Sequence, residues 1–295
     1  MIKGGVFALG NFDGVHRGHR AVIEAAVAKA RQMGVPARVL TFEPHPRAFF
    51  QPKLSPFRLT PPKAKERLLK ALGVNDIETI PFTAEIALMP AKDFIELIVV
   101  ERFGAQHLVA GHDFVFGHKR DGDMKKIAGW LAPHHIGVTE IEELGADGEV
   151  FSSTRVRELL LEGEVGAAAK ILGRDFSIEG TIIRGFGIGK KTIGFPTANI
   201  GLDGYIRPKF GVYAVSAGLA GQELSHKGVA NIGQRPTVNG EGENLEAHLS
   251  LFNKDIRGQE WEFALLRFIR PERRFDSLEA LTAQIKEDIV AARQG

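Results

Sequence analysis

The first 173 residues alternate short β-rich apolar runs with stretches that repeat apolar residues at helical spacing. Five runs have the length and composition of strands: 5–9, 37–42, 77–81, 107–111 and 138–141. The stretches between them have helical patterns: 21–33, 63–72, 91–103 and 124–132. Gly34 and Pro36 predict the end of the first helix, because glycine forms a left-handed cap and proline prevents continuation. Alternating strands and helices predict a parallel sheet with helices on both faces.

The pattern changes after Gly173, where short β-rich segments are separated by glycines. These segments predict an antiparallel barrel or sandwich: 176–183, 211–217, 226–232, 246–252 and 261–269. A terminal helix follows, with Ser277 as its N-cap and four apolar residues on one face: Leu278, Leu281, Ile285 and Ile289. The chain of 295 residues therefore predicts an α/β protein with two domains, 1–174 and 175–295.

Composition and charge narrow the possible partners. The net charge of +2 is too small to predict the basic surface of a nucleic-acid partner, so we expect no nucleic acid, while small anionic ligands stay open. The absence of cysteine from the chain excludes disulfides, thiolate metal sites and cysteine nucleophiles. The longest apolar runs, such as 94–100, are interrupted by charge and too short to span a membrane. With no signal-peptide pattern either, we expect a cytoplasmic protein without a membrane partner.

The loop after the first predicted strand reads Gly10-Asn-Phe-Asp-Gly-Val-His-Arg-Gly-His. In an open parallel sheet, ligands bind beyond the carboxyl ends of the strands, and a loop that leads into a helix there suits phosphate. Its glycines allow close approach of a ligand, and His16 and His19 offer imidazole N–H donors. A lone H-x-x-H pair more often caps a helix, and its spacing also permits metal ligands, although no third His or Cys lies nearby. The order of strand, glycines, histidines and helix favours a phosphate site.

Three further segments accompany this loop: Thr41-Phe-Glu-Pro-His-Pro, Gly111-His-Asp-Phe-Val-Phe-Gly and Ser152-Ser-Thr-Arg-Val-Arg. With the H-x-G-H loop, they resemble the adenylyltransferase half of the bifunctional riboflavin kinase/FMN adenylyltransferases, or FAD synthetases, over residues 5–173. The resemblance implies a Rossmann-like nucleotidyltransferase domain that transfers AMP from ATP to FMN and releases pyrophosphate.

The matching motifs imply the site residues of this reaction. His16 and His19 would be catalytic and hold the ATP phosphates, with Asn11 beside them. Binding of nucleotide and phosphate is implied for Asp113, Ser152, Thr154, Arg155 and Arg157. Hydroxyls and arginines at a helix start suit a leaving pyrophosphate, although Ser152-Ser-Thr also suits an ordinary N-cap.

Two more features of this half are carried over by the resemblance. His45 is expected on the flavin side, although a histidine between two prolines is equally suited to a structural role in a loop. The basic run Gly117-His-Lys-Arg-Asp-Gly is expected to form a mobile loop near the nucleotide and flavin phosphates.

The second half contains Arg184-Gly-Phe-Gly-Ile-Gly-Lys-Lys-Thr, which matches neither a P-loop nor the glycine-rich pattern of protein kinases. The segment still supplies a flexible basic loop after a strand. Its backbone N–H groups, with Lys190 and Lys191, are expected to bind phosphates.

The next segment, Gly194-Phe-Pro-Thr-Ala-Asn, resembles the signature of riboflavin kinases. The resemblance extends over about residues 176–290 and includes Gly228-Val-Ala-Asn-Ile-Gly-Gln-Arg-Pro-Thr and Glu246-Ala-His-Leu. It implies that Thr197 and Asn199 bind Mg²⁺ with the nucleotide, since this hard cation prefers oxygen ligands. It also implies that Glu246 is the catalytic base for the 5′-hydroxyl of riboflavin.

Three positions depart from the family pattern. Arginine is frequent in the family at the positions of Val115 and Lys191, and tyrosine is frequent at the position of Arg257. Lys191 keeps the charge but loses the bidentate geometry of arginine. The resemblance therefore does not imply a basic contact at Val115 or an aromatic contact at Arg257.

The two resemblances together predict a flavin-cofactor enzyme. Its C-terminal barrel would phosphorylate riboflavin to FMN with ATP, and its N-terminal domain would adenylylate FMN to FAD. The expected partners are riboflavin, FMN, FAD, ATP, ADP and pyrophosphate, and the oligomeric state is left open.

Other classes of protein explain less of the chain. A different H-x-G-H adenylyltransferase, for pantetheine phosphate or nicotinamide mononucleotide, leaves Gly194–Asn199 and Glu246 unexplained. A tRNA synthetase would need a K-M-S-K-S-like segment, which the chain lacks. A flavin-storage module is disfavoured by the presence of His19, Asn199 and Glu246, and an assay of flavin conversion would separate it from the enzyme.

Overall fold

The computed structural model describes residues 3–146, 148–183, 197–237, 240–250, 252 and 255–294. The chain folds as two compact units. One contains the residues up to 55 together with 60–152, and the other contains 56–59 together with the chain from 153 onward. The helices Ser153–Glu162 and Val165–Leu172 thus belong to the second unit, and residue 174 stays a prediction for the boundary between the two activities.

The sheet of the first unit has, among the described residues, five parallel strands in the order β3-β2-β1-β4-β5. The strands are β1 (Val6–Leu9), β2 (Ala37–Glu43), β3 (Asp76–Pro81), β4 (His107–Gly111) and β5 (Gly137–Ile141). The strand order reverses between β1 and β4, and ligand crevices form outside the carboxyl ends of the strands at such a position. The predicted parallel sheet is confirmed. A short hairpin follows, formed by β6 (Gly145–Ala146) and β7 (Glu149–Val150).

Helices cover both faces of this sheet. In the described residues they are α1 (Arg17–Met33), α2 (Pro46–Phe50), α3 (Pro62–Ala71), α4 (Ala84–Leu88), α5 (Ala91–Asp93) and α6 (Met124–Leu131). The segment Phe94–Arg102 continues α5 as a π-helix. Alternate residues of β1 enter different cores, Val6 and Ala8 on one face and Phe7 and Leu9 on the other.

α1 shows why its sequence forms a helix with these ends. Five of its residues form a buried apolar stripe at helical spacing: Val22, Ile23, Ala26, Val27 and Ala30. The helix begins at Arg17, four residues before the predicted start, because the side chain of His16 caps it. It ends at Gly34, whose φ of 66° is left-handed, and this confirms the predicted glycine cap.

The sheet of the second unit has, in the described part of the chain, six antiparallel strands in the order β8-β13-β10-β11-β12-β9. The strands are β8 (Phe176–Thr181), β9 (Thr197–Gly201), β10 (Gly211–Leu219), β11 (His226–Thr237), β12 (Gly240–Leu249) and β13 (Glu260–Arg270). Ile183, just after β8, pairs with Asn199 on β9, so the two edges of the sheet meet. The predicted antiparallel barrel is confirmed.

Three helices flank the barrel in the described residues: α7 (Ser153–Glu162), α8 (Val165–Leu172) and α9 (Leu278–Arg293). Ser277 Oγ accepts a hydrogen bond from Ala280 N at 3.1 Å, which confirms the predicted N-cap of α9. At the end of β13, Arg270 donates two hydrogen bonds of 2.9 and 2.7 Å to Asp288, whose side chain is only 3% exposed. This buried ion pair joins α9 to the strand.

Candidate active sites

The loop between β1 and α1 has a strained backbone. Phe12 and Val15 have positive φ angles of 50° and 41°, which residues with a side chain rarely adopt. The Asp13 carboxylate accepts a hydrogen bond from Thr60 N at 3.0 Å, and Gly14 N donates to Thr60 Oγ1 at 2.8 Å. Strained residues persist where surrounding contacts maintain them, and they cluster at functional sites.

Lys65 is a buried cation beside the same loop. From α3, its Nζ donates to the backbone oxygen of Asn11 at 3.1 Å and to Thr41 Oγ1, on β2, at 3.0 Å. Sequence reasoning missed Lys65 because most lysines on helices are exposed. One signal was present, since Lys65 lies four residues before the buried Leu69 and thus on the apolar face of α3.

His16 and His19 lie together at the start of α1. Their rings stack with 3.6 Å between centroids, and His16 is 6% exposed. His16 Nδ1 accepts a hydrogen bond from His19 N at 3.3 Å, which is the helix-cap role considered for this pair. Because Nδ1 accepts, the ring proton of neutral His16 belongs on Nε2, where it can serve as a donor. Capping the helix and binding a phosphate are therefore compatible roles.

Asn11 has an unsatisfied polar atom. Its side-chain oxygen is buried and has no hydrogen-bond partner among the described residues. Buried polar atoms in native proteins are nearly always satisfied, so an orphaned one requires an explanation such as a ligand or a water molecule. Asn11 also lines the large cavity of this unit.

The cavity has a volume of about 610 Å³ and lies at the carboxyl ends of the parallel strands. Its walls are mostly aromatic and aliphatic: Phe42, Phe49, Phe50, Phe82, Phe94, Phe114, Phe116, Ile86, Leu88, Met89 and Val115. An aromatic cavity of this size can enclose a planar ring system. The sequence analysis did not distinguish these phenylalanines from phenylalanines of the hydrophobic core. The available signal was position, since Phe42, Phe82 and Phe114 lie at or just after the ends of β2, β3 and β4.

A basic turn forms part of the cavity rim: Gly117, His118, Lys119 and Arg120. Lys119 and Arg120 have consecutive positive φ angles of 53° and 59°. Hydrogen bonds hold the turn, from His118 N to Met89 O at 2.9 Å and from Ala91 N to the Asp121 carboxylate at 3.2 Å. The segment 117–122 forms a hydrogen-bonded turn in this structure, and its mobility stays a prediction.

Two other predicted residues, His45 and Asp113, are neighbours in the sequence of residues that line the cavity. His45 is the N-cap of α2, where its Nδ1 accepts from Arg47 N at 3.1 Å, and the next residue, Pro46, lines the cavity. Asp113 is exposed, while Phe114 and Val115 line the cavity. Their roles in binding flavin and nucleotide stay predictions.

Ser152, Thr154, Arg155 and Arg157 occur where α7 begins. Arg155 forms an ion pair with Glu158 at 3.3 Å along the helix. Arg157 Nε donates to Phe57 O at 2.8 Å, and its guanidinium lies 5.5 Å from the centre of the Phe57 ring. Arg157 therefore has a structural contact, and phosphate binding by these four residues stays a prediction.

The polar residues of the barrel are placed by strand register. Glu246 on β12 lies directly opposite Asn199 on β9, and both are buried. Asn199 Nδ2 donates to Thr197 Oγ1 at 3.4 Å, while Asn244 Nδ2 donates to Asn199 Oδ1 at 3.2 Å. The structure thus brings together Thr197, Asn199 and Glu246, as the motifs required. Lys190 and Lys191 lie outside the described residues.

A loop suited to phosphate in a parallel α/β unit and a cluster of polar groups on a β-barrel are an arrangement that suits the class of nucleotide-dependent transferases. The sequence model of the FAD synthetase family matches residues 2–155, and that of the riboflavin kinase family matches residues 172–295. The chain belongs to the family of bifunctional riboflavin kinase/FMN adenylyltransferases. It phosphorylates riboflavin to FMN and adenylylates FMN to FAD.

Relatives of this family match almost the whole chain. The bifunctional riboflavin kinase/FMN adenylyltransferase of Escherichia coli is 38% identical over 99% of this chain and 93% of its own length. The Bacillus subtilis relative of the same description is 37% identical over 96% of this chain and 90% of its own length. A Streptococcus pneumoniae crystal structure described as a macrolide-efflux protein is 30% identical, covers 100% of this chain and 95% of that one, and has a TM-score of 0.86. That likeness supports the fold.

In the part of the chain that the structure describes, none of the helices combines the length and the hydropathy of a membrane span.

Proposed function

We propose that FMN adenylylation takes place at the loop between β1 and α1 and in the adjacent cavity. His16, His19 and Asn11 bind the ATP phosphates through side-chain donors beside the N–H groups at the start of α1. An oxygen of the FMN phosphate attacks the α-phosphorus of ATP directly, and pyrophosphate leaves. The protein positions the two substrates and stabilises the developing charge. The stacked histidines and the strained loop at the start of α1 support this assignment.

The flavin ring of FMN occupies the aromatic cavity in this proposal. Seven phenylalanines among the lining residues offer faces and edges for an isoalloxazine ring. The basic rim of His118, Lys119 and Arg120 is complementary in charge to FMN, whose phosphate is anionic. His45 contributes on the flavin side. The remaining predicted residues bind nucleotide and phosphate: Asp113, Ser152, Thr154, Arg155 and Arg157.

Riboflavin phosphorylation uses the polar residues of the barrel. Glu246 accepts the proton of the 5′-hydroxyl, whose oxygen then takes the γ-phosphoryl group of ATP. Thr197 and Asn199 fit Mg²⁺ as neighbouring neutral oxygen donors, with Asn199 Oδ1 oriented by Asn244. Mg²⁺ supplies neutralisation of the phosphate charge when it is bound. Lys190 and Lys191 complete the phosphate contacts.

The location of the central residues of each site carries this proposal, while the roles of Thr154, Arg155 and Arg157, which belong to the second unit, rest on the motif resemblance alone. His16 and Asn11 belong to the first unit, and Thr197, Asn199 and Glu246 belong to the second. We also propose residue 174 as the boundary between the activities, and a cytoplasmic location stays a prediction from the sequence.

Two single-site variants test the assignment. With riboflavin and Mg-ATP, His16→Ala should stop FAD formation while FMN accumulates. Glu246→Ala should make FAD only when FMN is supplied. Chromatographic separation of the flavins measures both results. Loss of both reactions in each folded variant would refute the assignment of one site to each unit.

A further inference from the structure

The polar face of the barrel extends beyond Glu246. On the neighbouring strand β11, Asn231 lies directly opposite Glu246, and the next pair on the same face is Gly233 opposite Asn244. Side chains that are directly opposite in antiparallel strands have Cβ atoms about 4.5–5.5 Å apart. A small group of a ligand can therefore contact Asn231 and the proposed base, Glu246, at the same time.

A second carboxylate covers this part of β11. Glu272 lies in the irregular segment between β13 and α9, and its Oε1 accepts a hydrogen bond from Asn231 Nδ2 at 2.8 Å. A Cβ on Gly233 would lie 1.8 Å from the same Oε1. The carboxylate thus occupies the space that the missing side chain of Gly233 leaves.

Asn231 and Glu272 offer the chemistry that a polyol needs. Glu272 is an exposed residue whose carboxylate has a second acceptor oxygen, and the amide oxygen of Asn231 adds another acceptor next to it. Acidic side chains bind sugar hydroxyls in this way in dinucleotide-binding folds. Riboflavin carries three secondary hydroxyls on the chain that ends in its reactive 5′-hydroxyl.

We propose that Asn231 and Glu272 form the subsite for the ribityl hydroxyls of riboflavin, next to Glu246. The subsite rests on the proposed function, since Glu246 locates the 5′-hydroxyl from which the other hydroxyls extend. The pair then selects flavins with a hydroxylated side chain and aligns the 5′-oxygen with Glu246.

Glu272 also attaches the segment between β13 and α9 to β11, so the test must separate attachment from substrate binding. Glu272→Gln keeps the size of the side chain and an oxygen that accepts from Asn231, but it removes the charge. The probes are riboflavin and 10-(5-hydroxypentyl)-flavin, which keeps the terminal hydroxyl and lacks the three secondary ones. Both are assayed for phosphorylation by the full-length protein with Mg-ATP.

With riboflavin, Glu272→Gln should lower kcat/KM about tenfold, since hydrogen bonds to charged groups are about twice as strong as neutral ones. With the hydroxypentyl compound, kcat/KM should change by less than about twofold. Asn231→Ala should show the same selectivity. Equal losses for both compounds would mean that Glu272 only attaches the segment, and an unchanged kcat/KM for riboflavin would also overturn the proposal.

Two controls accompany this comparison. Glu223→Gln makes the same chemical change at an exposed residue of the barrel between β10 and β11 and should leave both substrates unaffected. Glu246→Gln should abolish phosphorylation of both compounds. If Glu246→Gln stays active, the proposed base is wrong, whatever the result at Glu272. Circular dichroism and thermal unfolding of each variant verify that the barrel is folded, and formation of FAD from supplied FMN verifies that the first unit is intact.

Discussion

Lys65 organises the adenylyl-transfer loop from a position outside its motif. The loop contains two non-glycine residues with positive φ, and such residues cost about 1–3 kcal/mol each unless contacts compensate. Lys65 supplies one of these contacts, to the backbone of Asn11, and its hydrogen bond to Thr41 attaches the same Nζ to β2. A cation at this place would also complement phosphates bound at the proposed site. We therefore regard Lys65 as a positioning residue for FAD formation.

Lys65→Met should lower FAD formation from supplied FMN about tenfold or more and leave riboflavin phosphorylation unchanged. Methionine keeps the apolar stem but loses hydrogen bonds worth about 1.5–3 kcal/mol each. Initial rates of the two reactions provide the measurement. Lys63→Met, at an exposed residue of the same helix, is the matched control. Wild-type FAD formation by Lys65→Met would show that the loop does not depend on this lysine.

Residues with local motif signals could be predicted, and those defined by tertiary contacts could not. His16 and His19 stand between a strand and a helix in a recognisable order, and the structure brings them together. Glu272 has no such signal, because its neighbours Asn231 and Gly233 are about 40 positions away in the chain. Only the course of the irregular segment after β13 brings Glu272 into contact with β11.

The rim turn of the cavity is an element whose shape depends on close backbone packing. A Cβ on Gly122 would lie 2.5 Å from Ala91 Cβ and 2.7 Å from the ring of Phe116. Phe116 and Gly122 also pair as an isolated bridge. A larger residue at position 122 must therefore displace Ala91, the turn itself or the Phe116 ring that lines the cavity.

Gly122→Ala should raise the KM for FMN about tenfold in FAD synthesis, while the KM for ATP and riboflavin phosphorylation change little. Steady-state rates at varied FMN and varied ATP separate the two constants. Gly129→Ala is the control, because a Cβ at Gly129 meets nothing within 4 Å and alanine favours the helix by about 1 kcal/mol. Equal effects on both KM values would contradict a role confined to the flavin cavity.

Elements with regular patterns were predicted well, and irregular ones were not. The central strands β1, β2 and β4 appear as predicted because buried strands are continuous apolar runs bounded by turn residues, while the less buried edge strands β3 and β5 were predicted from short β-rich runs. The π-helical segment Phe94–Arg102 was predicted only as part of a helix, since its apolar residues do not distinguish the two helix types. β9 was missed because Thr197–Gly201 is short and carries polar residues toward the site.

At the scale of the whole molecule, each reaction has its own set of polar groups. The contacts that shape the adenylyl-transfer loop come from Asp13, Thr60 and Lys65, all in the first unit. Those that orient the kinase residues come from β9, β11 and β12 in the second unit. FMN is the product of one site and the substrate of the other, so the two reactions require only that FMN be transferred.

We expect two full-length variants, each with a different inactive site, to complement each other. A mixture of full-length His16→Ala and Glu246→Ala should convert riboflavin to FAD, because FMN made by the first variant can reach the intact adenylyl-transfer site of the second. Free FMN should appear before FAD, and an added protein that binds FMN tightly should delay FAD formation. Chromatography of the flavins over time measures both effects. As the control, a variant with both substitutions, His16→Ala and Glu246→Ala, replaces one of the two proteins in the mixture. Such a mixture should carry out at most one of the two reactions. The contrary outcome is a mixture that makes FMN but no FAD, although Glu246→Ala still uses supplied FMN. FMN would then not be exchanged between chains, and the independence of the two sites would be wrong.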